Sequence, residues 1–166
     1  MSRDDLLPAE SKVLESLGHL PLDFRAMWAI SNVFRTSAAL RRHLEADVLA
    51  PDRLSWTAFV GLWVLWVWGE MEAADFADAV GISRPTATGV LKTLEERGWV
   101  GRRPAAHDGR RVLLRLTKRG ERTIAELFPR FNEAEASIAS ALKPNEQERL
   151  ASMLRSLLRS LDDTAP

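Results

Sequence analysis

The chain has 166 residues, 46% of them apolar, enough for one compact unit with a real core. It contains no cysteine, which excludes disulfides, thiolate metal sites and thiol redox sensing, and its three histidines (His19, His43, His107) are too few and too scattered for a metal site. The formal net charge of zero hides an asymmetry: residues 1–79 carry 7 Lys/Arg against 12 Asp/Glu, residues 80–120 carry 10 against 3, and residues 121–166 carry 6 against 8. A basic middle segment between acidic flanks suggests a polyanion partner, with a merely solvated basic face as the plain alternative.

The first 20 residues are charged throughout and hold no apolar signal core, with a short helix ending at Gly18. A long helical pattern starts near Pro21–Asp23 and runs to about Val48, with Phe24, Met27, Trp28, Ile30, Val33, Phe34 and Leu40 recurring at three and four. APDRLS (50–55) reads as a loop, and Ser55 as the N-cap of the next helix. That helix, WTAFVGLWVLWVW, holds four of the six tryptophans and ends near Gly69. Its apolar run, Ala58 to Gly69, spans 12 residues. A membrane-spanning helix needs about 20, so a soluble, cytoplasmic protein without membrane contact is expected.

Glu72–Val80 is short and amphipathic, Gly81 is a left-handed stop, and Ser83 caps a helix running from Arg84 to Arg97. Two helices joined by a turn of about three residues fit a helix-turn-helix. The period then changes. WVGRR (99–103) and VLLRL (112–116) read as strands around the turn PAAHDGR, which makes a β-hairpin. Thr117 caps a helix running to about Leu142, with Pro129 as a kink point. A last helix, Pro144 to about Leu161, puts Leu150, Met153, Leu154, Leu157, Leu158 and Leu161 on one stripe.

In the helix after Ser83, the positions Ala87, Val90, Leu91 and Leu94 face inward. Arg84, Pro85, Thr86, Thr88, Gly89 and Lys92 then face out. Small residues permit close approach to a major groove, and hydroxyls and a guanidinium can bond base edges or phosphates. An exposed helix with no partner is the alternative. The hairpin adds Arg102, Arg103, Arg110, Arg111 and Arg115. A basic two-stranded projection can lay arginine into a minor groove. Asp108 would repel phosphate unless it holds Arg110, two residues away in the same turn. A turn-forming Asp among solvated arginines is the plain reading.

DFADAVGISRPTATGVLKTLEERGWVGRR (75–103) followed by DGRRVLLRLTKRGE (108–121) resembles the MarR-type winged-helix regulators over residues 21–162. The D-x-R tip leading to a strand and L-T-x-x-G is the most specific part. The resemblance implies a mainly α fold. A winged helix-turn-helix at 55–117 would sit between two parts of a helical dimerisation domain, 1–54 and 118–166. It implies a homodimer on a palindromic operator in double-stranded DNA. By position, Ser83, Arg84, Pro85, Thr86, Thr88 and Lys92 would meet the major groove. Arg110 would enter the minor groove, oriented by Asp108; Arg102 and Arg103 would contact phosphates near the wing base, and Arg111 is a further DNA-binding candidate. Lys143 departs from the Ser or Thr often found at the last helix cap, where losing a cap costs about 1 kcal/mol. Redox and zinc sensing, known in branches of the family, lack their residues here, so no cofactor or metal is expected.

The same resemblance makes the tryptophan helix the link between dimer and reading head, where ligand pockets of the family often lie. Trp56, Phe59 and Trp63, with Arg25, Trp28 and His43, are candidates for binding a small aromatic or phenolic effector. Packing is the plain reading, and Trp66 and Trp68 are expected to pack. Enzyme motifs are absent from the sequence, and His43, Glu45 and Asp47 do not share a helix face, so catalysis is not expected. The expected function is a transcriptional regulator, in its commonest form a repressor. The alternative is a ligand-binding or protein-interaction module that uses a winged helix without specific DNA binding.

Overall fold

The computed structural model describes residues 6–105 and 111–163. The chain divides into two compact units, Met1–His43 and Leu44–Pro166. The first holds α1 (Pro8–Leu17) and nearly all of α2 (Phe24–Leu44). Glu10, the one buried charged side chain among its described residues, accepts a hydrogen bond from Asn32 Nδ2 at 2.7 Å and from the Leu7 amide at 2.8 Å. Asp23 Oδ1 accepts from the Ala26 amide at 3.0 Å, so an Asp closes the start of α2 as its place in the sequence suggests. The long helical pattern is met with one change: after Leu44 the chain continues as a π-helical turn, Glu45–Leu49, and a 3₁₀ turn, Ala50–Asp52.

In the second unit, α3 (Trp56–Trp68) starts where expected. Ser55 Oγ accepts from the Ala58 amide, and Glu45 caps the same end by accepting from the Trp56 amide at 2.9 Å. The helix ends at Gly69, with φ 78° and ψ −152°. One residue further on, Met71–Glu72 form a short strand, β1, that the periodicity did not announce. Then come α4 (Ala73–Val80), α5 (Arg84–Glu96), β2 (Val100–Pro104), β3 (Val112–Leu116), α6 (Lys118–Ala139) and α7 (Pro144–Asp162). The strands form one antiparallel sheet in the order β1-β3-β2.

One core joins these elements: Leu62, Phe76, Leu91, Leu94, Leu114 and Ile124, from α3, α4, α5, β3 and α6, are all at most 1% exposed. Each such side chain contributes about 1.5–3 kcal/mol of hydrophobic stabilisation. At Gly61 a Cβ would stand 2.7 Å from the Phe76 ring, so only glycine lets α3 pack this closely on α4. The small and aliphatic residues of α3, together with Phe59, make the buried face. The indoles sit at its margins: Trp56 and Trp63 are half-buried, while Trp66 is 41% and Trp68 58% exposed. The expectation that Trp66 and Trp68 pack is therefore met only in part. Trp66 rests on Phe128, with ring centroids 5.7 Å apart, and Trp68 puts an edge against Trp63 at 5.3 Å.

The last helix begins without a hydroxyl cap. Glu146 accepts from the Lys143 amide at 2.8 Å, which satisfies one end group. Gln147 Nε2 donates to the carbonyls of Ala139 and Leu142, closing the end of α6. Among the described residues, no helix is long and apolar enough to cross a membrane.

Candidate nucleic-acid interface

The turn between α4 and α5 is built from three residues. Gly81 takes φ 72°, a left-handed conformation that glycine adopts without a Cβ clash. Its amide donates to Asp78, and that of Ile82 donates to Ala77, which closes α4 in the manner of a Schellman motif. Ser83 then opens α5: its Oγ accepts from the Thr86 amide at 3.3 Å and shares a hydrogen bond with Thr86 Oγ1 at 2.8 Å. Arg84 and Pro85 occupy the first helical positions, where the missing Pro85 N–H costs nothing.

The two faces of α5 divide as the spacing predicts. Ala87, Leu91 and Leu94 are buried and Val90 is half-buried; Arg84, Pro85, Thr86, Thr88, Gly89 and Lys92 are all exposed. The Thr88 hydroxyl donates to the Arg84 carbonyl at 3.0 Å. Its proton is committed to the helix, which leaves oxygen lone pairs for a donor outside, such as a base amino group. Nothing stands within 4 Å of where a Gly89 Cβ would be. Lys92 pairs loosely with Glu96, at 3.9 Å on the exposed surface.

The hairpin is in register, with Arg102 opposite Leu114, Arg103 opposite Leu113 and Pro104 opposite Val112. On the far side of β3, Glu72 stands opposite Leu113. Arg103, Leu113 and Glu72 thus share one row across the sheet, while Leu114 of the next row is buried. Three of the arginines singled out in the sequence are held by glutamates. Arg103 Nε bonds both Glu70 oxygens, at 3.0 and 2.8 Å, and its Nη2 joins them. Arg111 pairs with Glu72, and Arg102 Nε with Glu95 of α5 at 2.5 Å. The Glu70 carboxyl is held below its ordinary range, first by the hydrogen bond from Arg103, against desolvation, with the charges of Arg103 and Arg115 adding to the lowering. The Arg103 guanidinium is raised in turn. Asp108 and Arg110 lie outside the described residues. Glu70, Glu72 and Glu95 did not stand out in the sequence, because 33, 39 and 7 residues separate them from their arginines.

Behind the hairpin, Arg97 lies over the Trp99 ring at 4.2 Å and donates to the Asp52 carbonyl at 3.0 Å. Thr117 joins hairpin to helix: its hydroxyl donates to the Gly98 carbonyl at 2.7 Å and accepts from the Gly120 amide at 3.0 Å.

The effector candidates fall in both units. In the first, Trp28 is buried with its ring 5.8 Å from Phe24, and Arg25 and His43 are exposed. In the second, Phe59 is buried and stacks on Phe131 at 4.3 Å. Trp56 borders that stack, 6.4 Å from Phe59 and 5.9 Å from Phe131. Among the described residues no group of three or more His, Cys, Asp or Glu could hold a metal ion.

Two helices joined by a tight turn, the second presenting a small polar face, followed directly by a β-hairpin, define a winged helix-turn-helix. Comparison with known proteins is specific beyond that. Residues 54–112 match the model of the MarR family. The chain is 35% identical over 158 residues to the uncharacterized HTH-type transcriptional regulator YwaE of Bacillus subtilis, covering 93% of this chain and 92% of that one. A 92-residue stretch is 34% identical to the transcriptional repressor MprA of Escherichia coli, covering 55% of this chain and 52% of that protein. The structure of S. aureus MepR in a DNA-binding conformation superposes with a TM-score of 0.67 at 25% identity, over 80% of this chain and 98% of that one. The chain belongs to the MarR family and is a transcriptional regulator of that type.

Proposed function

We propose that this chain is a cytoplasmic repressor that binds a palindromic operator in double-stranded DNA as a homodimer. The observation that carries the reading is the exposed face of α5: Arg84, Pro85, Thr86, Thr88, Gly89 and Lys92 stand out from the core at the start of a capped helix. Small, hydroxyl-bearing and cationic groups together match the chemistry of base edges and phosphates. In this reading Ser83 sets the helix end, Asp108 and Arg110 form the wing tip, and Arg102, Arg103 and Arg111 lie along the flanking backbone. The likeness to MprA, a transcriptional repressor, supports the sign of regulation.

The homodimer is supported by α7, which leaves Leu150, Met153, Leu157, Leu158 and Leu161 exposed along one helix. An apolar stripe of that kind calls for a partner surface, and a second copy supplies one by symmetry. Selection of duplexes from a random-sequence pool, with sedimentation of the protein alone and with the selected duplex, tests both statements. A dimer that enriches an inverted repeat is the expected result. A dimer that enriches no sequence would favour the protein-interaction module instead.

Release by a small aromatic or phenolic effector is the second part of the reading. It is supported by Trp56, a half-buried indole at the edge of the Phe59–Phe131 stack. Such a ligand would act by favouring a form of the dimer that cannot hold DNA. Titration of aromatic acids against Trp fluorescence and operator binding tests it. If no acid changes either signal, this part of the reading is wrong.

A further inference from the structure

The wing carries more cations than it displays. Arg102, Arg103, Arg111 and Arg115 are the described arginines of its strands and their approach, and three of the four are paired with a glutamate. The glutamates come from different places: Glu70 just before β1, Glu72 in β1 and Glu95 in α5. All three lie in a head that must approach a polyanion, where a carboxylate is otherwise a liability.

We propose that Glu70, Glu72 and Glu95 are specificity-determining residues, each acting as an internal stand-in for phosphate on a wing arginine. The inference rests on the DNA-binding reading above. Glu70 receives Arg103 in the forked geometry a phosphate would receive, through both of its oxygens. Both partners of each pair remain partly exposed, with the arginine side chains 38–60% accessible. Surface pairs of this kind exchange at little cost. An arginine already neutralised by a glutamate displaces few of the cations condensed on DNA, so placing it on a random phosphate gains little from counterion release. At the operator, α5 seated in its groove fixes where the phosphates lie, and the arginines can change partner. Arg84, which has no ion pair among the described residues, stands on the reading helix itself.

The test uses the full-length protein and two fluorescent duplexes: one enriched by the wild type from a random pool, and a scrambled duplex of the same length and composition. Affinities of Glu70→Gln, Glu72→Gln and the double variant are measured across a salt series, with thermal melts to show that each is folded. The expected result is tighter binding to the scrambled duplex and a lower selected-to-scrambled ratio. The slope of log K against log salt should steepen by up to about 0.9 per freed arginine. On the scrambled duplex, adding Arg103→Gln to Glu70→Gln should return the slope to that of the wild type. Equal weakening on both duplexes at unchanged slope would show that the carboxylates merely prop the wing, and would overturn the proposal. So would variants that match the wild type on both duplexes. If the wild type itself enriches no sequence, the DNA-binding reading fails first, and this inference falls with it.

Discussion

The rings of Phe59 in α3 and Phe131 in α6 stack with centroids 4.3 Å apart and planes 28° from parallel, and both residues are buried. They join the tryptophan helix to the long helix that follows the wing. Phe131→Ala should lower stability by about 3–5 kcal/mol, because it deletes a large buried ring and leaves a cavity beside Trp56. Phe131→Leu should cost far less, under about 1.5 kcal/mol if repacking fills the space. Urea denaturation at fixed protein concentration measures both. Equal losses from the two variants would mean that ring stacking, not filled volume, holds the helices together.

Two glycines should respond to alanine in opposite directions. A Cβ at Gly120 would fall on the carbonyl group of Trp99, with backbone on both sides of the contact. Gly120→Ala should destabilise by about 1–3 kcal/mol. At Gly89 the space is open and the residue lies within α5. Gly89→Ala should stabilise the fold by up to about 1 kcal/mol. On the proposed function it should also weaken operator binding, because the added methyl stands on the reading face. Thermal melts and anisotropy titrations on one preparation separate the two effects. A Gly89→Ala protein that is both more stable and equally tight on DNA would remove that residue from the interface.

Arg110→Ala should cost about 1–3 kcal/mol of operator affinity if the guanidinium reads the minor groove. Arg84→Ala should have an effect in the same range on base discrimination. Asp108→Ala should act in the same direction as Arg110→Ala and add little to it, if it serves the proposed role of orienting that arginine. A double-mutant cycle measured by anisotropy checks the coupling. Strictly additive losses would show the two residues working independently.

The Glu70–Arg103 pair should respond to acid in one direction. Glu70 is held below the ordinary carboxylate range in the folded protein, so the pair adds stability at neutral pH. That increment is lost as pH falls through the lowered value, because the unfolded chain then takes up the proton first. The stability difference between wild type and Glu70→Gln should be flat from neutral pH to about pH 5 and should vanish in stronger acid. It should be small throughout, since both side chains meet solvent. A difference that grows on acidification would contradict the assignment of the pair.

What could be read in the sequence was what local chemistry decides. Ser55, Ser83 and Thr117 each cap the helix they precede, and Gly69 and Gly81 each close one, so α3, α4, α5 and the start of α6 were legible from single residues. The exposed face of α5 followed from helical spacing alone. The two-residue strand β1 was not legible, because it exists only by pairing with β3, some 40 residues on (Glu72 opposite Leu113). The arginine–glutamate pairs were hidden for the same reason. Charge counting placed a surplus of cations in the middle of the chain, and only the sheet shows that acidic residues from before β2 neutralise part of it.

Gly69 lies between the tryptophan helix and β1, at φ 78° and ψ −152°, in a backbone region essentially reserved for glycine. No neighbouring atom lies within 4 Å of its missing Cβ. Most buried positions reject substitutions in proportion to the bulk added. Here the barrier is torsional, so a saturation library at this codon should show a step and not a gradient: alanine should fare nearly as badly as leucine, while the indole next to it, Trp68, should vary widely at little cost to folding.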